Sequence, residues 1–253
     1  MISINHNISS IIKQLADVHD KQLPFATSLA INNTAKKVKA AEEKEIRDVF
    51  DRPTLFTQNS LFIRPSNKTN LTASVKLKDE ASKGVPAAKY LQAEIKGGER
   101  RLKRYEVALR AAGVLPEGYF TVPGQAAKID AFGNMSRGQI NQILSYFRAN
   151  RDATQASTDK TRAKLAKGSK KRSGISYFVG RPGDGKLPLG VWIKSHSGSF
   201  TGPSIPIRPV LIFVQSARYD AIYDFKYVAD ITIQKHFNNE FVSAWRFAQR
   251  TAK

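Results

Sequence analysis

An α+β fold is the class this sequence predicts: an antiparallel sheet flanked by long N- and C-terminal helices, with a helical insertion and a basic loop. Three observations predict it. Long stretches near both ends repeat their apolar residues at helical spacing, and shorter ones, within 59–78 and 175–214, carry strand patterns broken by Gly and Pro. The later strand segments are short, apolar and separated by Gly and Pro, as in an antiparallel sheet. With 253 residues, 41% of them apolar, the chain has enough material for a sizeable core. It reads as a single α+β domain over 1–253, with a helical insertion at about 84–150 and a basic mobile arm at about 151–174.

The first long helix is predicted from Pro24 to Phe50. Proline is tolerated in a first helical turn because its missing N–H would be unpaired there anyway. Phe25 and Leu29, then Ile31, Ala35 and Val38, then Ile46 and Val49 fall close together on its surface. "DRPT" ends it, since Arg52 precedes Pro53 and is pushed toward extended geometry. A shorter helix is expected over about Ile8 to Val18.

Leu71, Ala73, Val75 and Leu77 alternate with Thr72, Ser74, Lys76 and Lys78, the pattern of a strand with one buried and one wet face. "NSLFIR" precedes it across "PSNKTN", so the two form a hairpin. A lone hairpin is marginal in water, and this one is expected to join the 175–214 strands in one sheet covered by the two long helices. In the insertion, "PAAKYLQAEI" is a short helix stopped by Gly97 and Gly98. "ERRLKRYEVALRAAG" places Leu102, Tyr105, Leu109 and Ala112 on one stripe, and Gly113 and Pro116 end it. "SRGQINQILSYF" has Ser136 and Gln139 in capping-box spacing, with Ile140, Ile143, Leu144 and Phe147 on one face.

Residues 150–174 lack periodicity and read as a long loop. "ISYFV", "LGVWIK" and "IRPVLIFV" are strands, and Phe225 to Ala252 is a terminal helix with Phe237, Phe241 and Trp245 in one row.

Forty-one basic residues against 21 acidic ones give a net charge of +20, a bias toward anionic partners. The excess peaks in residues 151–200, where 11 basic residues face 3 acidic ones. At its centre lies "TRAKLAKGSKKRSG", residues 161–174, with Arg162, Lys164, Lys167, Lys170, Lys171 and Arg172 and no carboxylate. Such a run suits sequence-independent phosphate contact, or docking on an acidic protein surface; base reading would need a defined helix or ribbon. Arg100, Arg101, Lys103 and Arg104 form a second basic face on the predicted helix after Gly98, where Glu99 with Lys103 and Glu106 with Arg110 have ion-pair spacing.

Other motifs point to no reaction. "GRPGDGKL", residues 180–187, matches a phosphate loop up to its lysine, but Leu187 replaces the magnesium-binding hydroxyl and Pro188 prevents the following helix. A turn between strands is the better reading, with Lys186 exposed. His6, His19, His196 and His236 are scattered without metal-ligand spacing, so no metal site and no cofactor is expected. Ser195 and His196 are adjacent, and neighbours on a strand point to opposite faces. The pairs Glu42–Glu43 and Asp79–Glu80 suit wet surfaces, and Asn67 and Asn70 suit a turn. The absence of cysteine excludes disulfides. No apolar run is long enough to span a membrane, and the N-terminus lacks a secretory pattern, so the chain is expected to be soluble, away from membranes.

"LPFATSLAINNTAKKVKAAEEKEIRDVF", followed by a hairpin, a basic middle, "RPVLIFV" and a terminal amphipathic helix, resembles the minor tail protein Z family of tailed phages and prophages. "RLKRYEVALRAAGVLPEGYFTVPG" with "KIDAFGNMSRGQINQIL" is similar to a block in many prophage-encoded proteins of this type. The matching stretches span most of the chain, and the insert at about 84–150 distinguishes it from shorter members. The resemblance implies a virion structural protein at the neck or upper tail end, concerned with tail completion and head–tail joining. It implies a ring subunit around the DNA channel, with no enzymatic activity and no catalytic residues. The implied partners are other phage tail or neck proteins, further copies in a homo-oligomeric ring, and phage DNA held without sequence preference. The implied location is the virion, after assembly in the host cytoplasm. Charge alone supports the alternative of a non-specific nucleic-acid-binding protein.

Overall fold

The computed structural model describes residues 16, 18–82, 84–169, 173–196 and 207–251. The fold is α+β, with long helices near both ends and antiparallel sheets. The chain groups into two compact units: Met1–Gly97 with Asp220–Lys253, and Gly98–Tyr219.

In the first unit, helix α1 (Leu23–Val49) follows a π-helical turn at Val18–Gln22 and carries its proline in the first turn. It stops at Phe50, which is extended. Arg52 then has φ +47°, left-handed where extended geometry was expected. Pro53 disfavours the right-handed helix at Arg52, and the left-handed turn is accompanied by two-pronged hydrogen bonding of its guanidinium to Asp51. Most of the helix expected over about Ile8 to Val18 lies outside the described residues.

The terminal helix α8 (Phe225–Thr251) packs antiparallel on α1. Ala26 and Ala30 meet Ala244 and Ala248, where the absence of bulk lets the backbones approach, and Phe25, Leu29, Phe237, Phe241 and Trp245 close the sides. The aromatic row is therefore part of this packing. Farther along, Lys37 bonds Glu240 at 2.8 Å.

The hairpin forms from β1 (Leu61–Arg64) and β2 (Ser74–Leu77), pairing Leu61 with Leu77 and Ile63 with Val75. Leu61 packs with Ile46 and Tyr223, and Val75, Leu77, Phe50, Ile95 and Phe225 surround them. Asn67 Oδ1 accepts from the amides of Thr69 and Asn70, which makes it the turn residue expected. Helices α2 (Leu55–Gln58), α3 (Ala87–Tyr90) and α4 (Gln92–Lys96) complete the unit. The helix expected over "PAAKYLQAEI" is broken in two around the buried Leu91 and ends at Gly97, φ +69°.

In the second unit, β3 (Gly98–Glu99) pairs with β8 (Arg218–Tyr219), so the chain enters and leaves through one short ladder. Between them run α5 (Arg104–Ala111), β4 (Phe120–Pro123), α6 (Arg137–Tyr146), α7 (Asp159–Lys167), β5 (Gly174–Gly180), β6 (Gly190–His196) and β7 (Ile207–Val214). The sheet has the order β4-β7-β6-β5, antiparallel throughout. Leu109 and Leu115 from the α5 region and Ile143 from α6 pack with Tyr177, Val191 and Leu211 of the sheet. The β6–β7 register slips between Val191 and Trp192, where Pro209, which has no N–H to give a ladder, stands opposite Trp192.

The single-sheet expectation is thus corrected. The hairpin keeps its own two-stranded sheet because Leu61 and Leu77 find cover beside Ile46 and Tyr223. The partner β7 needs comes instead from β4, inside the segment read as a helical insertion. The long helices cover each other.

Candidate anion-contact surface

Within the basic segment, Asp159–Lys167 form helix α7, which corrects the expectation of a loop over 151–174. Thr158 caps it by accepting from the Thr161 amide at 3.2 Å, and Asp159 occupies the first turn, where a negative charge suits the helix dipole. Leu165 packs on the core of the second unit. Gly168, φ +73°, ends the helix.

The other face belongs to Lys160, Lys164 and Lys167, which are exposed and spaced i, i+4, i+7 on one stripe. None makes an ion pair with a described residue. Lys164 and Lys167 also suit the negative end of the helix dipole, whereas Lys160 in the first turn gains nothing from it.

Arg162 behaves differently. It is half-buried, its guanidinium lies 5.3 Å from the Tyr146 ring centroid, and it reaches Asp159 at 3.6 Å. It anchors α7. Lys170, Lys171 and Arg172 lie outside the described residues. The basic stretch is anchored again at Gly174, where a Cβ would collide with the Ala166 carbonyl, so β5 begins in contact with the end of α7.

The second basic group is separated by the fold. The helix expected from Glu99 starts only at Arg104, so Arg100, Arg101 and Lys103 share no helical face. Arg100 turns inward and grips Glu106 through two hydrogen bonds of 2.7 and 2.6 Å. Glu106 is fully buried and also accepts from the Lys103 amide and from the amide and hydroxyl of Thr121. Burial pushes its carboxyl up, but the hydrogen bonds from Arg100, Lys103 and Thr121 outweigh it, and the group lies below its ordinary value. Neither expected helical ion pair forms. Glu99 lies in β3, and Arg110 donates instead to the Tyr119 carbonyl at 2.8 Å. Arg101, Lys103 and Arg104 are exposed.

The expected capping box at Ser136 is absent, because Gln139 is buried and spends its amide on the Lys128 N–H and the Ala126 carbonyl. Glu42, expected on a wet face, is fully buried on α1 and accepts from Tyr223. Asp79 and Glu80 are exposed as expected.

"GRPGDGKL" is the turn between β5 and β6, with Gly183, Asp184 and Gly185 all at positive φ and Lys186 exposed. His196 bonds across the sheet to Ser176 Oγ at 2.9 Å, a partner that strand adjacency hides and that the register of β5 on β6 reveals. No carboxylate bonds this histidine among the described residues, nor do those residues group three metal-ligating side chains. No described helix is long and apolar enough to cross a membrane. Lys160 and Arg148, which bonds Asp159 at 2.9 Å, were not singled out on sequence. The α7 spacing reveals Lys160 once Thr158 is taken as a cap. No family model, no curated protein and no solved structure matches the chain.

Proposed function

We propose that the chain is a structural subunit of the neck or upper tail end of a tailed phage, taking part in tail completion and head–tail joining as a ring subunit beside the DNA channel. It meets DNA by phosphate contact without reading bases. The observation that carries the DNA part is the exposed row of Lys160, Lys164 and Lys167. The row spans roughly 10 Å of helix axis, over which duplex DNA presents about six phosphate charges. The sequence resemblance to the minor tail protein Z family supports the neck, and the net charge of +20 supports a polyanionic partner.

The same charge favours a second reading, a free non-specific nucleic-acid-binding protein. Quantitative mass spectrometry of purified particles separates the two. The neck reading expects this chain in fixed stoichiometry with the tail proteins. Its absence from particles, with DNA binding by the isolated protein intact, overturns that reading in favour of the second.

A further inference from the structure

In the second unit, residues 128–136 form a tight loop ahead of α6. Asp130 Oδ1 accepts from the amides of Phe132 and Asn134, both at 2.9 Å, and the Asp130 amide donates to the Asn134 carbonyl at 2.8 Å. Gly133 takes φ +79° within the turn. This hydrogen-bonded backbone holds Ile129 and Phe132 in solvent, 46% and 47% exposed, an apolar knob whose ordering precedes any contact. Lys128 and Arg137 flank its base, where the Ser136 amide donates to the Lys128 carbonyl at 2.7 Å. In the first unit, Leu55, Phe56, Ser60 and Ala87 line a cavity of about 250 Å³, with the exposed Lys78 and Glu80 completing its wall. Leu55 is 69% and Phe56 52% exposed, and Phe56 is braced by Tyr90, the ring centroids 6.5 Å apart.

We infer that these two features join copies of this chain head to tail. Phe132 of one copy enters the cavity beside Leu55 and Phe56 of another, and Lys128 and Arg137 meet Asp79 and Glu80. A cavity of about 150 Å³ accommodates a benzene ring, so one of about 250 Å³ has room for the phenyl group. Charge complementarity selects the occupant. The side chains of Lys128 and Arg137 on one surface, and of Asp79 and Glu80 on the other, are exposed and pair with no described residue. The opposing charges are engaged locally: Lys78 donates to the Asn59 carbonyl at 2.8 Å, and Asp130 accepts from its own loop. A nucleic acid would meet carboxylates at the cavity, whereas a second copy brings both an aromatic anchor and cations. Because knob and cavity differ, the contact leaves one of each free at the ends until a ring closes. The inference deepens the ring-subunit reading and rests on it, and its test is separate from the particle composition that tests the neck.

The test uses the full chain, whose lack of cysteine makes introduced thiols unambiguous. Ala131→Cys marks the loop and Asn59→Cys the cavity, both at exposed positions. The reaction is run at about 0.15 M salt, where repulsion between these +20 chains is screened beyond about 8 Å. A short bismaleimide should then link an equimolar mixture of the two variants into dimers at least about fivefold more abundant than in either variant alone, as a contact between unlike surfaces requires. Adding Phe132→Ser to the Ala131→Cys chain should cut the mixed crosslink about tenfold. Thermal unfolding should stay near the parent value, because Phe132 is already exposed. Glu80→Lys should weaken self-association in sedimentation about fivefold, and Lys128→Glu in the same chain should restore most of it. A mixed crosslink no stronger than that of the separate variants, or one indifferent to Phe132→Ser, overturns the inference, whatever else covers the cavity. So does a Glu80→Lys loss that Lys128→Glu deepens. Chains that crosslink as expected but are missing from purified particles keep the contact and lose the neck reading.

Discussion

Tyr223 donates its hydroxyl to Glu42 Oε2 at 2.7 Å, joining residues 181 positions apart. Both side chains are fully buried, and the other carboxylate oxygen, Oε1, has no hydrogen-bond partner among the described residues. The pair ties α1 to the residues just before α8, beside the small cluster of Ile46 and Leu61. Burial pushes the Glu42 carboxyl up, the Tyr223 hydrogen bond opposes this, and Glu45 and Asp224 add to it, leaving the group at about 7. Burial likewise raises the Tyr223 hydroxyl, and the neighbouring Glu42 raises it further.

Stability should therefore fall as pH rises from about 4.5 to about 7. In that window the folded state holds a proton on Glu42 that the unfolded state has released, so raising the pH favours unfolding. The displacement corresponds to about 3 kcal/mol of Glu42-dependent stability at most. Denaturant titrations at pH 5 and pH 8 measure it, with Glu42→Gln isolating the contribution of this one group. The variant should lose most of the difference between the two pH values. If the variant retains the full parental difference, Glu42 is not its source.

The Arg100–Glu106 pair should act in the opposite sense. Because the Glu106 carboxyl is lowered, its contribution is present above the ordinary carboxylate range and is lost as pH falls through the folded value. Glu106→Ala strands the Arg100 guanidinium and the buried Thr121 amide, and should cost about 3–5 kcal/mol. Arg100→Met should cost less, because the Lys103 amide and Thr121 still bond the carboxylate. The double variant should be more stable than the sum of the single losses predicts. A double-mutant cycle with no coupling would refute a specific pair.

Glu42 and Glu106 also show what the sequence could and could not disclose. The long helices, the 61–77 hairpin and the β5–β7 strands are local patterns, carried by apolar spacing and by Gly and Pro, and they are present as expected. Pairings between distant segments are not local. Nothing in "EVALR" says that Glu106 bonds Arg100 and Thr121 rather than Arg110, because that choice depends on where β4 lies. Likewise, i, i+3 spacing offered Gln139 to Ser136 as a cap, while the backbone of 126–128 claimed the same amide. The candidate site was legible as composition. Its division into an inward Arg162 and an outward lysine row required knowing that Thr158 begins a helix and that Leu165 packs inside.

Gly174→Ala should test how firmly that helix is held. The added methyl meets the Ala166 carbonyl, which belongs to backbone and cannot swing away. Overpacking of this kind costs about 1–3 kcal/mol. The strain should appear first as faster hydrogen exchange in α7 and at the start of β5, with the distant β4–β7 ladder less affected. Unchanged exchange in α7 would mean that the helix and strand separate freely.

The lysine row gives the sharpest test of the proposed phosphate contact. Lys160, Lys164 and Lys167 are exposed, so replacing all three with alanine should leave thermal stability nearly unchanged, each substitution lying within about 0.5 kcal/mol. Alanine is also the better helix former, so α7 itself should persist. DNA affinity should fall by a similar factor on unrelated sequences, because phosphate contacts carry no base information. The slope of log affinity against log salt should become shallower by about 0.9 for each contact removed. Arg162→Ala should instead lower stability, since it removes packing on Tyr146, and should move the salt slope less. A second variant replacing Lys170, Lys171 and Arg172 reports separately on the rest of the basic run. If both lysine-row and downstream variants keep the parental salt slope while assembly into particles fails, the basic segment docks on protein, and the phosphate-contact proposal falls.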